Sequence, residues 1–173
     1  MPHGPRELLI LSGNAAVADF WPYVWNGSSL YKWSNNPPNS AFTAGFTKTG
    51  GHDDLIRHVQ SDQGRGSNFL SCSTNRDATS NYGDFLYEIS LFHSHTKAFS
   101  VNDLIRDITK HRNPFAEQEE IAIYKQILPK EVSAVWIKSD NPPDVRARAI
   151  TQGQLLFSEE YNRVTRESFL TKL

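Results

Sequence analysis

The stretch Glu117-Gln118-Glu119-Glu120-Ile121-Ala122-Ile123-Tyr124 places three carboxylates and an amide directly in front of an apolar run. The run has the length and side chains of a short buried strand. Adjacent residues of a strand face opposite sides, so Glu119 and Glu120 cannot both point inward. Taken alone, a glutamate that opens a strand is most often a solvated loop-edge acid. The remainder of the chain decides whether this one is different.

The chain has 173 residues, of which 38% are hydrophobic and 12% aromatic, enough for one domain, 1–173, with a substantial core. A net charge of −1 supplies no global field toward nucleic acid or anionic lipid. Cys72 is the only cysteine, which excludes an intrachain disulfide. The apolar stretch Leu8-Leu9-Ile10-Leu11, preceded by Glu7, is too short for a signal peptide. No window is long enough for a membrane helix.

Further strands are expected at Leu30–Trp33, Phe69–Thr74, Phe85–Phe92 and Val132–Lys138, and helices at Asp54–Gln60 and Val101–His111. Asn36-Pro37-Pro38-Asn39 reads as a turn before a short helix capped by Asn39 or Ser40. Phe157–Leu170 reads as a last strand running into a helix. Short strands, with helices clustered in the first two-thirds, indicate an α+β class and not alternating βαβ units.

Four local features follow one another along the chain. Tyr31-Lys32-Trp33 leads into Asn36-Pro37-Pro38 and Phe42-Thr43-Ala44-Gly45-Phe46; His58 follows in Asp54-Leu55-Ile56-Arg57-His58-Val59; then come Phe69-Leu70-Ser71-Cys72-Ser73 and Gln118-Glu119-Glu120. Each has an ordinary reading. A strand lysine is usually a solvated edge charge, a helical histidine among apolar neighbours a satisfied core residue, and alternate serines ordinary strand composition.

In this order and spacing the features resemble the mono-ADP-ribosyltransferase toxins, most closely the catalytic subunit of pertussis toxin, with cholera toxin and heat-labile enterotoxin more distant. Those proteins carry an arginine strand, an Asp-x-Arg-Pro-Pro turn, Phe-x-x-Gly-Phe, a helical histidine, an aromatic-hydrophobic-Ser-Thr-Ser strand, and Gln-x-Glu or Glu-x-Glu before an apolar strand. The resemblance covers about residues 29 to 137. It implies two packed, mainly antiparallel sheets with helices around an NAD-binding cleft, with NAD as substrate and no metal.

The implied reaction breaks the bond between nicotinamide and ribose through an oxocarbenium-like state, which a rigidly held carboxylate stabilises. Carried over residue by residue, the resemblance makes Glu120 the catalytic acid, since this register leaves Ile127 and Pro129 at the family's spacing. Gln118, expected on the same strand face as Glu120, and His58 join it. Lys32, Ser71 and Ser73 face NAD, and Phe115 with Gln118 meets the acceptor. Cys72 stands in the place of the usual threonine and is expected to point into the core. Lys32 replaces the family's arginine and lacks its planar multi-donor fork.

The implied function is transfer of ADP-ribose to a host protein side chain other than arginine, because an amide at Gln118 cannot act as a base toward a guanidinium. A side activity as NAD glycohydrolase accompanies that expectation. The chain is then a toxin or effector, secreted or injected and acting in the target-cell cytosol, with a delivery or immunity partner and no membrane association. Two alternatives stand beside it. One is nucleobase modification of the pierisin type, which the near-neutral charge disfavours; the other is a non-catalytic binding protein on the same fold, motivated by Lys32.

Overall fold

The computed structural model describes residues 20, 22–27, 29–60, 66–78, 82–91, 98–110, 116–139 and 160–172. Among these residues nine strands and four α-helices follow one another: β1 (Ser29–Ser34), α1 (Pro38–Ala44), β2 (Phe46–Thr47), α2 (Leu55–Gln60), β3 (Phe69–Ser73), β4 (Phe85–Ser90), β5 (Ala98–Ser100), α3 (Val101–Thr109), β6 (Glu120–Tyr124), β7 (Gln126–Ile127), β8 (Val132–Lys138), β9 (Tyr161–Thr165) and α4 (Arg166–Thr171). Seven strands form one sheet in the order β5-β6-β3-β1-β4-β8-β9, and β2 pairs with β7 in a second, two-stranded sheet. Every pairing between these strands is antiparallel.

Strand alternation sorts the core onto the two faces of the large sheet. Leu70 and Cys72 of β3 pack with Ile121 and Ile123 of β6 and with Phe42 and Phe46, which α1 and β2 contribute. Phe69 of β3 and Ala122 of β6 pack instead against Leu55 and Ile56 of α2 and Leu104 of α3. Cys72 is therefore a core residue, as expected from its place between two serines. Leu86 is as fully buried as its neighbour Tyr87, so β4 buries an apolar side chain on each face.

Several ends differ from the sequence reading. Pro38 begins α1 and no side chain caps it, so neither Asn39 nor Ser40 is the cap; a proline in the first turn lacks the N–H a cap would satisfy. Asp54 lies outside α2 and caps it, its Oδ1 accepting from Ile56 N at 3.0 Å and Arg57 N at 3.2 Å. α3 ends at Thr109, and Lys110 closes it in the left-handed region at φ 60°. His111 and Phe92 lie outside the described residues. β6 and β8 match their expected places, and the C-terminal strand runs into its helix over Tyr161–Thr165 and Arg166–Thr171, while residues 157–159 of that reading lie outside the described residues.

Gly45 explains the Phe42-x-x-Gly45-Phe46 spacing. Its φ of 69° is one that side chains rarely adopt, and a Cβ there would stand 2.1 Å from the Ile127 carbonyl oxygen. Glycine lets the end of α1 turn against β7 and delivers Phe46 into the core.

Candidate active site

β1 and β4 run together over six residue pairs, but β1 and β3 share only Tyr31 opposite Ser73. The two strands part beyond that pair. Lys32 sits at the parting, its Nζ donating to the Ser71 carbonyl at 3.0 Å and lying 5.6 Å from the centre of the Phe46 ring. The lysine thus occupies a carbonyl that strand pairing has left open.

On the adjacent strands Ser73 pairs with Glu120 and Ser71 with Ala122, so Ser71, Ser73 and Glu120 share a sheet face. Ser71 Oγ donates to Glu120 Oε1 at 2.7 Å. His58 reaches the same oxygen from α2, with Nε2 at 3.1 Å. A carboxylate only accepts, so His58 Nε2 carries a proton. The histidine is 1% exposed and the glutamate side chain 20%, which leaves an edge of the carboxylate open to a ligand.

Burial is the largest influence on Glu120 and raises its pKa. The hydrogen bond from His58, its charge where the ring is doubly protonated, the Ser71 bond and the charge of Lys32 outweigh it together and hold the carboxyl below its ordinary value. The site therefore keeps an ionised carboxylate in a half-dry setting, where fixed charge acts strongly on developing charge.

The start of β6 separates the two adjacent glutamates. Glu119 has a left-handed φ of 46°, donates its N–H to the Ala116 carbonyl at 3.1 Å and accepts from Thr74 N at 3.3 Å. That kink leaves Glu119 exposed with Glu117, while Glu120 begins the strand and turns inward. Gln118 belongs to a single turn of 3-10 helix, Ala116–Gln118, so strand alternation does not relate its side chain to that of Glu120. The expected shared strand face of Gln118 and Glu120 is therefore corrected. Gln118 is anchored by its carbonyl, which accepts from Ser73 Oγ at 2.5 Å.

Ser73 is buried, and its hydroxyl also accepts from Asn75 N at 2.9 Å. That hydroxyl is committed to main chain, and it supports the Gln118 turn. Phe115 lies outside the described residues. The structure thus brings Lys32, His58, Ser71 and Glu120 to one point, with Ser73 and Gln118 tied together beside it. Sequence reading missed Ser67, which is fully buried with Oγ 2.5 Å from His58 Nδ1. A serine two residues ahead of a strand, in a glycine-containing loop, carries no local signal of that contact.

Residues 27–128, more than half of the chain, match the family described as pertussis toxin, subunit 1. The chain belongs to this family of ADP-ribosyltransferase toxins. The fold agrees. A single-site variant of Scabin, a toxin from Streptomyces scabies, superposes with a TM-score of 0.60 at 17% identity, covering 91% of this chain and 86% of that one. Scabin in complex with NADH gives 0.59 at 18% identity over the same shares of the two chains. EcPltA gives 0.53 at 16% identity, covering 81% of this chain and 85% of its own. A comparison with curated proteins finds no match. Among the described residues no group of three or more His, Cys, Asp or Glu side chains is placed to hold a metal ion, and no helix is long and apolar enough to cross a membrane.

Proposed function

We propose that this member of the family transfers ADP-ribose from NAD to a host protein side chain other than arginine, and that Glu120 is the residue on which the reaction turns. The observation that supports this reading most is a single ionised carboxylate, fixed by Ser71 and His58 on a partly exposed edge beside the β1–β3 parting. As the nicotinamide–ribose bond lengthens, positive charge gathers on the ribose. Glu120 lies ready to stabilise that charge without reorganising, because both bonds holding it already exist.

The other residues take roles that their contacts allow. Ser71 donates to the carboxylate and lines the nicotinamide side of the cleft. Lys32 uses one of its three N–H groups on the Ser71 carbonyl and offers the others to an NAD phosphate as a point charge. Ser73 works through the Gln118 carbonyl and not through NAD. Gln118 orients an acceptor by its amide, which has no basic atom with which to deprotonate a guanidinium. Hydrolysis of NAD by water in the absence of an acceptor follows from the same geometry.

Incubating the protein with labelled NAD and a host-cell lysate tests the reading. Glu120→Ala should lower label transfer and NAD hydrolysis by about a hundredfold to a thousandfold, the scale of removing a preorganised electrostatic group. Glu119→Ala should cost little. Equal losses, or a larger one at Glu119, would reject the assignment. Label on arginine would reject the acceptor class, and label confined to nucleic acid would favour the pierisin-type alternative. The Lys32 contact also suits a second reading, a binding protein without turnover, which predicts no NAD hydrolysis by the unaltered chain.

A further inference from the structure

His58 meets Glu120 with one ring nitrogen and something else with the other. At 1% exposure, an imidazole must satisfy both nitrogens within the protein. Nε2 faces the carboxylate, and Nδ1 lies 2.5 Å from Ser67 Oγ. Ser67 Oγ in turn accepts from Phe69 N at 3.2 Å. With that bond received, the hydroxyl hydrogen is free to point at Nδ1. A ring protonated on Nε2 and accepting at Nδ1 satisfies every atom of the chain Phe69–Ser67–His58–Glu120.

The serine is held as firmly as the histidine, and by the same segment. His52 forms a parallel bridge with Ser67, Gly51 N donates to the Gly66 carbonyl at 2.7 Å, and Asn68 N donates to the His52 carbonyl at 2.9 Å. Asn68 Nδ2 donates to Asp53 Oδ1 at 2.6 Å, and Asp54 caps the helix carrying His58. A Cβ on Gly50 would come within 2.2 Å of the Ser67 carbonyl oxygen, so the two backbones approach as closely as glycine permits. Residues 50–54 therefore fix both the helix that bears His58 and the loop that bears Ser67.

We propose that Ser67 is a positioning residue for ADP-ribosyl transfer: its bond to Nδ1 fixes the orientation of the His58 ring, whose Nε2–H the carboxylate already demands, and keeps Nε2 aimed at the Glu120 oxygen that Ser71 also binds. It acts through His58 and does not itself meet NAD. The inference rests on the reading of Glu120 as the catalytic carboxylate, but its first test does not.

That test is the ring-nitrogen NMR spectrum of 15N-histidine-labelled protein at about pH 8.5, where an unperturbed imidazole is neutral. Loss of a signal in His58→Gln identifies the residue. Wild type should show Nε2 protonated and Nδ1 as a hydrogen-bonded acceptor. Ser67→Ala should keep Nε2 protonated but lose the hydrogen-bonded shift of Nδ1, and its kcat for NAD hydrolysis should fall about tenfold with KM nearly unchanged, the scale on which partners that orient a metal-bound histidine act. Ser67→Cys keeps the volume and weakens the donor, so it should resemble Ser67→Ala; cysteine behaving as wild type would mean that packing alone matters and would overturn the proposal. So would a wild-type ring protonated at Nδ1, an Nδ1 shift unchanged in Ser67→Ala, or a lost Nδ1 hydrogen bond with kcat unchanged. An inactive wild type would remove the functional reading, while the spectrum would still decide whether Ser67 controls the ring.

Discussion

Glu120 shows how a partly buried acid is kept charged. Desolvation alone would favour the neutral form, yet three neighbours from three different elements, His58, Ser71 and Lys32, reverse the balance. A carboxyl whose folded pKa lies below its unfolded pKa stabilises the protein fully above the unfolded value, and that contribution disappears as pH falls through the folded value. A 13C titration of the Glu120 carboxyl should therefore place its midpoint below the usual carboxylate range. Ser71→Ala should move the midpoint upward, since it removes a donor to the charged form and leaves the burial. A midpoint above the usual range in wild type, or a downward move in Ser71→Ala, would contradict the network as described. Ser67 belongs to the same chain of bonds one step further out. Nothing in its immediate sequence announces it, because the contact joins a loop and a helix through a side chain that only folding brings close.

Among the elements, β6 and the turn before it carry the most information. The apolar run and its bounds were legible from residue types, and the strand does open at Glu120, the glutamate that the downstream spacing to Ile127 and Pro129 singles out by resemblance. The side-chain direction of Gln118 was not, because alternation presumes extended backbone, and Glu119 leaves it with a φ of 46°. That conformation can be tested directly. A β-branched residue is strained in the left-handed region, so Glu119→Val should destabilise the fold by about 1–2 kcal/mol in urea unfolding. Glu119→Gly should lie within about 0.5 kcal/mol of wild type. Equal effects of valine and glycine would show that the kink is not the feature that starts the strand. A comparable limit applies to α1: the paired prolines read as a turn ahead of a helix capped by Asn39 or Ser40, whereas Pro38 itself opens the helix and needs no side-chain cap.

At the scale of the molecule, strand order was the part that sequence could not supply. β5 is neighbour to β6, and β3 lies between β6 and β1, because long-range pairing and not succession decides the sheet. The parting of β1 from β3, on which the candidate site depends, follows from that order. The C-terminal strand and helix extend the sheet past the region matched to the family and reach back to the core. Arg166 Nε donates to the Phe42 carbonyl at 3.2 Å, and the Phe169 ring lies 5.2 Å from that of Phe42, which also packs on Tyr87. α4 thus presses on α1 from outside and supports the Phe42–Phe46 segment, while the acid and its donors belong to α2, β3 and β6. Support and chemistry should then separate in one variant. Phe169 is only half-buried, so Phe169→Ala should cost about 1–3 kcal/mol, less than truncation of a fully buried aromatic. Unfolding in urea would measure that loss, and NAD hydrolysis well below the melting temperature should keep its wild-type kcat. A stability loss under about 0.5 kcal/mol would mean that α4 does not brace the core. A kcat that fell in the fully folded variant would mean that pressure on α1 is transmitted, through Gly45 and Phe46, to Lys32 and the cleft itself.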